Sequence, residues 1–170
     1  MESTIAVYQL IILYMLKRSG GEISMPLLSA FLIESGLVNF ESLVSTYQEI
    51  ESNGFVRTRQ TADRTFLNIT QEGEQALSFF KNAISAEIRS QADRYLCENG
   101  HVLQEERTYI ADYDTASSGG YLVHLAVRED GKLLYEINIT VPSEQTALTM
   151  ISRWKEAGAN IYAVIMQSLL

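Results

Sequence analysis

Apolar side chains recur at three- and four-residue spacing through the first fifty positions, and at every second position between Tyr121 and Val141. The first pattern predicts amphipathic helices and the second half-buried strands. From Thr4 to Lys17, Ile5, Tyr8, Ile12 and Leu16 share one helical face, and Val7, Leu10, Ile11 and Tyr14 cover much of another. A helix apolar on most sides must be buried on most sides. Its surplus face is expected to pack on a partner subunit or on the C-terminal half, which makes Val7, Leu10, Ile11 and Tyr14 the candidate dimer interface. Ser19-Gly20-Gly21 ends this helix. A brief strand at Glu22–Ser24 leads to a second helix, with Ser24 as N-cap and Pro26 in its first turn. It reaches about Glu34 before Gly36, with Leu28, Phe31 and Leu32 inward. Asn39 caps a third helix, in which Phe40, Leu43, Val44, Tyr47 and Ile50 are expected inward. Glu41, Ser42, Ser45, Thr46, Gln48 and Glu49 are expected outward.

The next segment is the most informative. Asn53-Gly54 stops the third helix, and two short strands follow, Phe55 to Gln60 and Thr65 to Ile69, around the polar tip Thr61–Arg64. Thr70 then caps a fourth helix that is expected to run to about Glu98, with Leu77, Phe80, Ile84, Ile88 and Tyr95 as its stripe. Helix, stop, hairpin, helix is the order in which a winged-helix module builds its wing. After Asn99-Gly100 the period becomes two. Strands are expected at about Val102–Tyr113, from Tyr121 and from Leu133, with Asp130-Gly131 as a tight hairpin turn between the last two. Pro142 ends the last strand and Ser143 caps a final helix, with Leu148, Ile151, Trp154, Ile161 and Ile165 inward and a kink or split at Gly158-Ala159-Asn160. The fold class is therefore α+β. A winged helix-turn-helix domain over residues 1–80 continues through a linking helix at 81–98 into residues 99–170. That last part is a three-stranded antiparallel sheet covered by a helix, read as a dimerisation or sensing domain.

Charge changes this picture. The chain has 170 residues, 46% of them apolar, and a formal net charge of −8. Such a balance works against non-specific DNA binding, which depends on cations meeting phosphates, but it permits a local basic patch. One cysteine, Cys97, excludes an intramolecular disulfide framework. It fits a reducing cytoplasm. No basic stretch precedes the first apolar run, which reads against a signal peptide, and no apolar run is long enough to span a membrane.

Candidate chemistry follows the hairpin and the helix before it. Ser42, Ser45, Thr46 and Gln48 on the third helix are candidate contacts to base edges or phosphates. Arg57, Arg59 and Arg64 around the hairpin suit phosphate or minor-groove contact. The blander accounts are a solvated helix face, here lacking Lys and Arg, and an edge strand protected by charge. Cys97 and His101 have a spacing that can hold a metal, but His124 is the only other histidine and no second ligand pair exists. The carboxylate pairs Glu105-Glu106, Asp112-Asp114 and Glu129-Asp130 are separated by alternation or sit at turns. The Ser117–Gly120 loop leads into a strand, away from any helix dipole that would hold phosphate. These features imply no catalytic residue, no metal and no cofactor.

The segments NFESLVSTYQEIESNGF and LNITQEGEQAL resemble the winged-helix superfamily of bacterial transcriptional regulators, PadR-like and MarR-like proteins among them. The segments IADYDTASSGGYLV and VPSEQTALTMISRWKEAGANIY are similar to an uncharacterised bacterial family, domain of unknown function 4364, over nearly the whole chain. The resemblance implies a winged helix followed by a small α+β domain, and no established ligand or operator. The expectation is a cytoplasmic, homodimeric regulator of transcription that binds double-stranded DNA, with any small-molecule effector unknown. The alternative is a winged-helix-derived protein-interaction module without DNA binding.

Overall fold

The computed structural model describes the backbone from Glu2 to Leu170 and the side chains from Val7 onward. Ile5 lies outside the described side chains. The elements are α1 (Glu2–Arg18), β1 (Glu22–Ser24), α2 (Met25–Glu34), α3 (Phe40–Ser52), β2 (Val56–Gln60), β3 (Thr65–Ile69) and α4 (Gln71–Phe80). A 3₁₀ turn (Lys81–Ala83) separates α4 from α5 (Ala86–Glu98). Then come α6 (Gly100–Thr108), β4 (Tyr109–Thr115), β5 (Tyr121–Glu129), β6 (Lys132–Val141) and α7 (Glu144–Leu169). The described residues thus form seven α-helices and two three-stranded antiparallel sheets. They divide into two units. One comprises residues up to Gln60 with Arg64–Gly100, the other Thr61–Asp63 with His101–Leu170.

In the first unit α1 is the centre of the core. Every side chain from Leu10 to Leu16 is buried, with Ile12, Met15 and Leu16 at 0% exposure. Each such aliphatic side chain contributes about 1.5–3 kcal/mol of burial. The helix is covered on all sides because α3, β1, β3, α4, the 3₁₀ turn and α5 all pack on it. Leu10, Ile11 and Tyr14 are therefore covered by the chain itself, and the surplus surface expected to seek a partner subunit is absent at those three positions. The Tyr14 hydroxyl donates to the Asp93 carboxylate of α5 at 3.0–3.1 Å, and Arg18 Nε donates to the same carboxylate at 2.8 Å. Burial, with Asp93 second, raises the Tyr14 pKa. Lys17 pairs with Glu74 of α4 at 2.6 Å.

The first sheet has the order β1-β3-β2. Ile23 faces Leu67, and Thr58 faces Leu67 from the other side. Thr70 caps α4 by accepting from the Gly73 N–H at 3.1 Å. Gly73 is required there, since a Cβ on it would lie 2.2 Å from the Phe55 carbonyl oxygen.

Three expectations about the elements fail. The helix from Gln71 breaks at Lys81, and Ser85 starts a new one by accepting from the Ile88 N–H at 3.2 Å. Phe80, freed from the expected stripe, is 62% exposed, whereas Leu77 and Ile84 are buried. Residues 102–108, read as strand, belong to α6, and the strand begins only at Tyr109. And α7 runs on through Gly158 as one helix, so the split expected there is absent.

The second unit is a meander in the order β4-β5-β6 with α7 on one face. Asp130 (φ 50°) and Gly131 (φ 76°) make the two-residue turn between β5 and β6, which needs positive φ at both central positions. Val123, Leu125, Val127 and Val141 meet Ala147, Ile151 and Trp154 in the core. The Trp154 indole N–H donates to the Ala126 carbonyl at 3.0 Å, so the ring is buried with its donor satisfied. The inward stripe of α7 is Ala147, Ile151, Trp154 and Gly158, which leaves Leu148 outside it and 38% exposed. Among the described residues no helix is long and apolar enough to cross a membrane.

Candidate functional site

The face that α3 presents is set by its cap and by one buried hydroxyl. Asn39 Oδ1 accepts from the Ser42 N–H at 2.9 Å, which fixes the first turn. The inward stripe is Leu43, Thr46 and Ile50. Thr46, expected outward, is fully buried, because its hydroxyl donates to the Ser42 carbonyl at 2.6 Å and so needs no water. It cannot touch a ligand on the outer face. Tyr47 is half-buried with its hydroxyl 3.0 Å from Ser29 Oγ, and burial pushes its pKa up to about 12 against the opposing effect of that hydrogen bond.

The outer face differs from the expectation in composition. Gln48 is exposed, and Ser42 and Ser45 are half-buried, with the Ser45 hydroxyl donating to the Glu41 carbonyl at 2.8 Å. Phe40 and Val44, expected inward, are 71% and 40% exposed. The pattern could have signalled this: Leu43 and Ile50 define a stripe that Thr46 completes, and Phe40 and Val44 fall off it. Glu49 accepts from Gln9 Nε2 at 2.9 Å, and Glu51 accepts from the Thr58 hydroxyl.

The hairpin arginines have three different environments. Arg57, opposite Asn68, is exposed. Arg59, opposite Phe66, lies 4.3 Å above that ring and holds the Glu22 carboxylate through Nη2 at 2.9 Å and Nε at 3.2 Å. Arg64 is half-buried and has an interaction of its own. Successive strand side chains point to opposite faces. Thr58 reaches Glu51 of α3, so Arg57 and Arg59 are turned to the other face of β2. The structure brings those two arginines together on one face and does not set them beside the polar row of α3.

A cleft of about 250 Å³ opens between the end of α2 and α5, floored by Phe31 and Tyr95 and rimmed by Glu34, Arg94 and Glu98. The Tyr95 hydroxyl donates to the Leu27 carbonyl at 2.9 Å, tying α5 to α2. Burial, with the Glu34 charge second, raises the Tyr95 pKa.

The family model described as Domain of unknown function (DUF4364) matches residues 8–169. The chain belongs to this family. Neither the curated proteins nor the solved structures give a match. In this DUF4364 chain, the exposed outer face of α3 and the exposed Arg57 are the candidate contact surface. Cys97 is exposed near the end of α5, and His101 follows in α6.

Proposed function

We propose that the first unit is a winged helix and that the protein is a DNA-binding regulator of transcription acting as a homodimer. The observation that carries this reading is the element order α1-β1-α2-α3-β2-β3 closed by a sheet ordered β1-β3-β2. In that arrangement α3 is the helix that enters the major groove, and β2–β3 is the wing. Ser45 and Gln48 are then the side chains nearest to base edges, with Ser42 beside the helix start, and Arg57 is the phosphate contact. Thr46 drops out of the set, being buried. Arg59 joins only by exchanging Glu22 for a phosphate, and Arg64 only by leaving its own partner.

Fluorescence anisotropy with fragments of the host genome over a salt series tests this. Binding at low salt is expected, with Arg57→Ala weakening it on all sequences. The same variant should lower the slope of log affinity against log salt by about 1 for each phosphate that is no longer neutralised. Gln48→Ala is expected to relax sequence preference instead. Absence of binding at low salt defeats the reading.

A second reading, a protein-interaction module on the same scaffold, is favoured by a separate observation. Phe40 and Val44 are exposed one turn apart on α3, which has no Lys or Arg from Phe40 to Ser52. Exposed apolar side chains on a face without cations suit a protein partner better than a polyanion. Loss of a co-purifying partner on Phe40→Ser with Val44→Ser, with no salt-dependent DNA affinity in the parent, selects it.

A further inference from the structure

β6 is the open edge of the second sheet. Among the described residues it pairs with β5 alone, and of its own ten residues only Tyr135, Ile137 and Val141 are less than exposed. At the other edge, five of the seven residues of β4 are half-buried. An uncovered edge strand carrying apolar side chains is a template for a further strand. Ile139 makes the point: its partner Val123 puts it on the face that α7 packs, yet it is 38% exposed.

We infer that β6 pairs antiparallel with β6 of a second copy, joining two three-stranded sheets into one of six strands. This names the interface of the homodimer in the proposed function and rests on that part of it alone. A two-fold interface uses the same patch on both copies, so an antiparallel strand meets itself about one central residue. The hairpin end of β6 is unfit for this. Leu134 has no partner on β5, because the register slips between Val127 and Arg128. A bulge of that kind blocks pairing, and the Lys132 charge adds to the block. That leaves Tyr135–Val141, whose midpoint is Asn138.

Centred on Asn138, the strand is complementary to itself. Tyr135 meets Val141 and Ile137 meets Ile139 on the α7 side, and Glu136 meets Thr140 on the other. Aromatic and β-branched cross-strand pairs are favourable, and like charges opposite one another are not. Glu136 is the only charged residue of the segment, and this register sets it against a threonine rather than its twin. The point matters for a chain of net charge −8, whose copies repel wherever their surfaces are charged.

Sedimentation velocity without DNA, at tens of micromolar, should give a particle of twice the 19.1 kDa chain mass. Ile139→Lys should weaken dimerisation at least tenfold and leave the far-ultraviolet circular dichroism unchanged, since the side chain is partly exposed in the single chain. In a Cys97→Ser background, Asn138→Cys should form an inter-chain disulfide under mild oxidation, because residues directly opposite have Cβ atoms about 5 Å apart. Thr140→Cys should not, since its twin would lie four residues along the strand, about 13 Å away. A monomer at that concentration overturns the inference. So does a dimer that Ile139→Lys leaves intact, or a crosslink at Thr140→Cys in place of Asn138→Cys. A monomer that still binds DNA removes this interface and leaves the DNA reading standing.

Discussion

The Thr46 hydroxyl donates one turn back to the Ser42 carbonyl, and that single bond allows a polar side chain into the core stripe of α3. A hydroxyl satisfied inside its own helix has nothing to offer a ligand. Thr46→Val, which keeps the shape and removes the donor, should change stability by less than about 1 kcal/mol in urea unfolding. It should also leave any DNA affinity unchanged, unlike Arg57→Ala. Tyr47, one position on, responds to pH. Its hydroxyl ionises near 10 in the unfolded chain and at about 12 in the folded one. Below pH 10 both states hold the proton, so the contribution is constant. Between the two values only the unfolded chain loses it, and stability falls as pH rises, by about 2–3 kcal/mol over the whole window. Urea midpoints taken on either side of pH 10 should therefore diverge less in Tyr47→Phe than in the parent. Tyr14, Tyr95, Tyr113 and Tyr135, also raised, act in the same direction, so some divergence should persist in that variant.

Two glycines fix how closely elements approach. A Cβ at Gly73 would lie 2.2 Å from the Phe55 carbonyl and 3.1 Å from both Ile69 and Leu13, so backbone has to move. Gly73→Ala should cost about 3 kcal/mol or more despite the better helix propensity of alanine. At Gly158 the nearest atoms are the Tyr109 ring at 3.0–3.1 Å and Val127 at 3.3 Å, and a ring can tilt. Gly158→Ala should cost less than about 2 kcal/mol, because about 1 kcal/mol of helix propensity offsets the strain. Urea unfolding followed by circular dichroism measures both. The same residues explain what the pattern of side chains revealed. Caps and turns were legible, since Asn39, Thr70, Ser143 and Asp130-Gly131 each act locally. Gly158 reads as a breaker in isolation, and only the ring of Tyr109, distant in sequence, makes it a packing site. The stop at Lys81 has no Gly or Pro to announce it, and Ser85 as a new cap was its one trace. The apolar spacing of α6 is too short to separate nine helical residues from a strand. For the contact surface, the exposure of Gln48 and Arg57 was legible from alternation and period. The burial of Thr46 and the emergence of Phe40 and Val44 follow from the stripe that Leu43 and Ile50 define, whereas the capture of Arg59 by Glu22 depends on a neighbour that no local pattern contains.

At the scale of the whole molecule the charge of −8 acts on both proposed associations, with opposite signs. Two copies that meet through a segment with one charged residue still bring two acidic bodies together, and the repulsion between them is screened by salt. The Debye length falls from about 30 Å at 0.01 M to about 8 Å at 0.15 M, so that penalty shrinks while the apolar strand contacts do not. Dimerisation through β6 should therefore tighten over that range. DNA binding depends on cations releasing counterions from phosphate, and it should weaken over the same range. Sedimentation velocity of the free protein and anisotropy of labelled DNA at the two salt concentrations give the two slopes. A dimer that loosens with salt would mean that charge pairs hold it, and the nearly uncharged strand edge would not be its interface. A DNA affinity indifferent to salt would mean that Arg57 meets no phosphate, and the exposed Phe40 and Val44 would become the surface to explain.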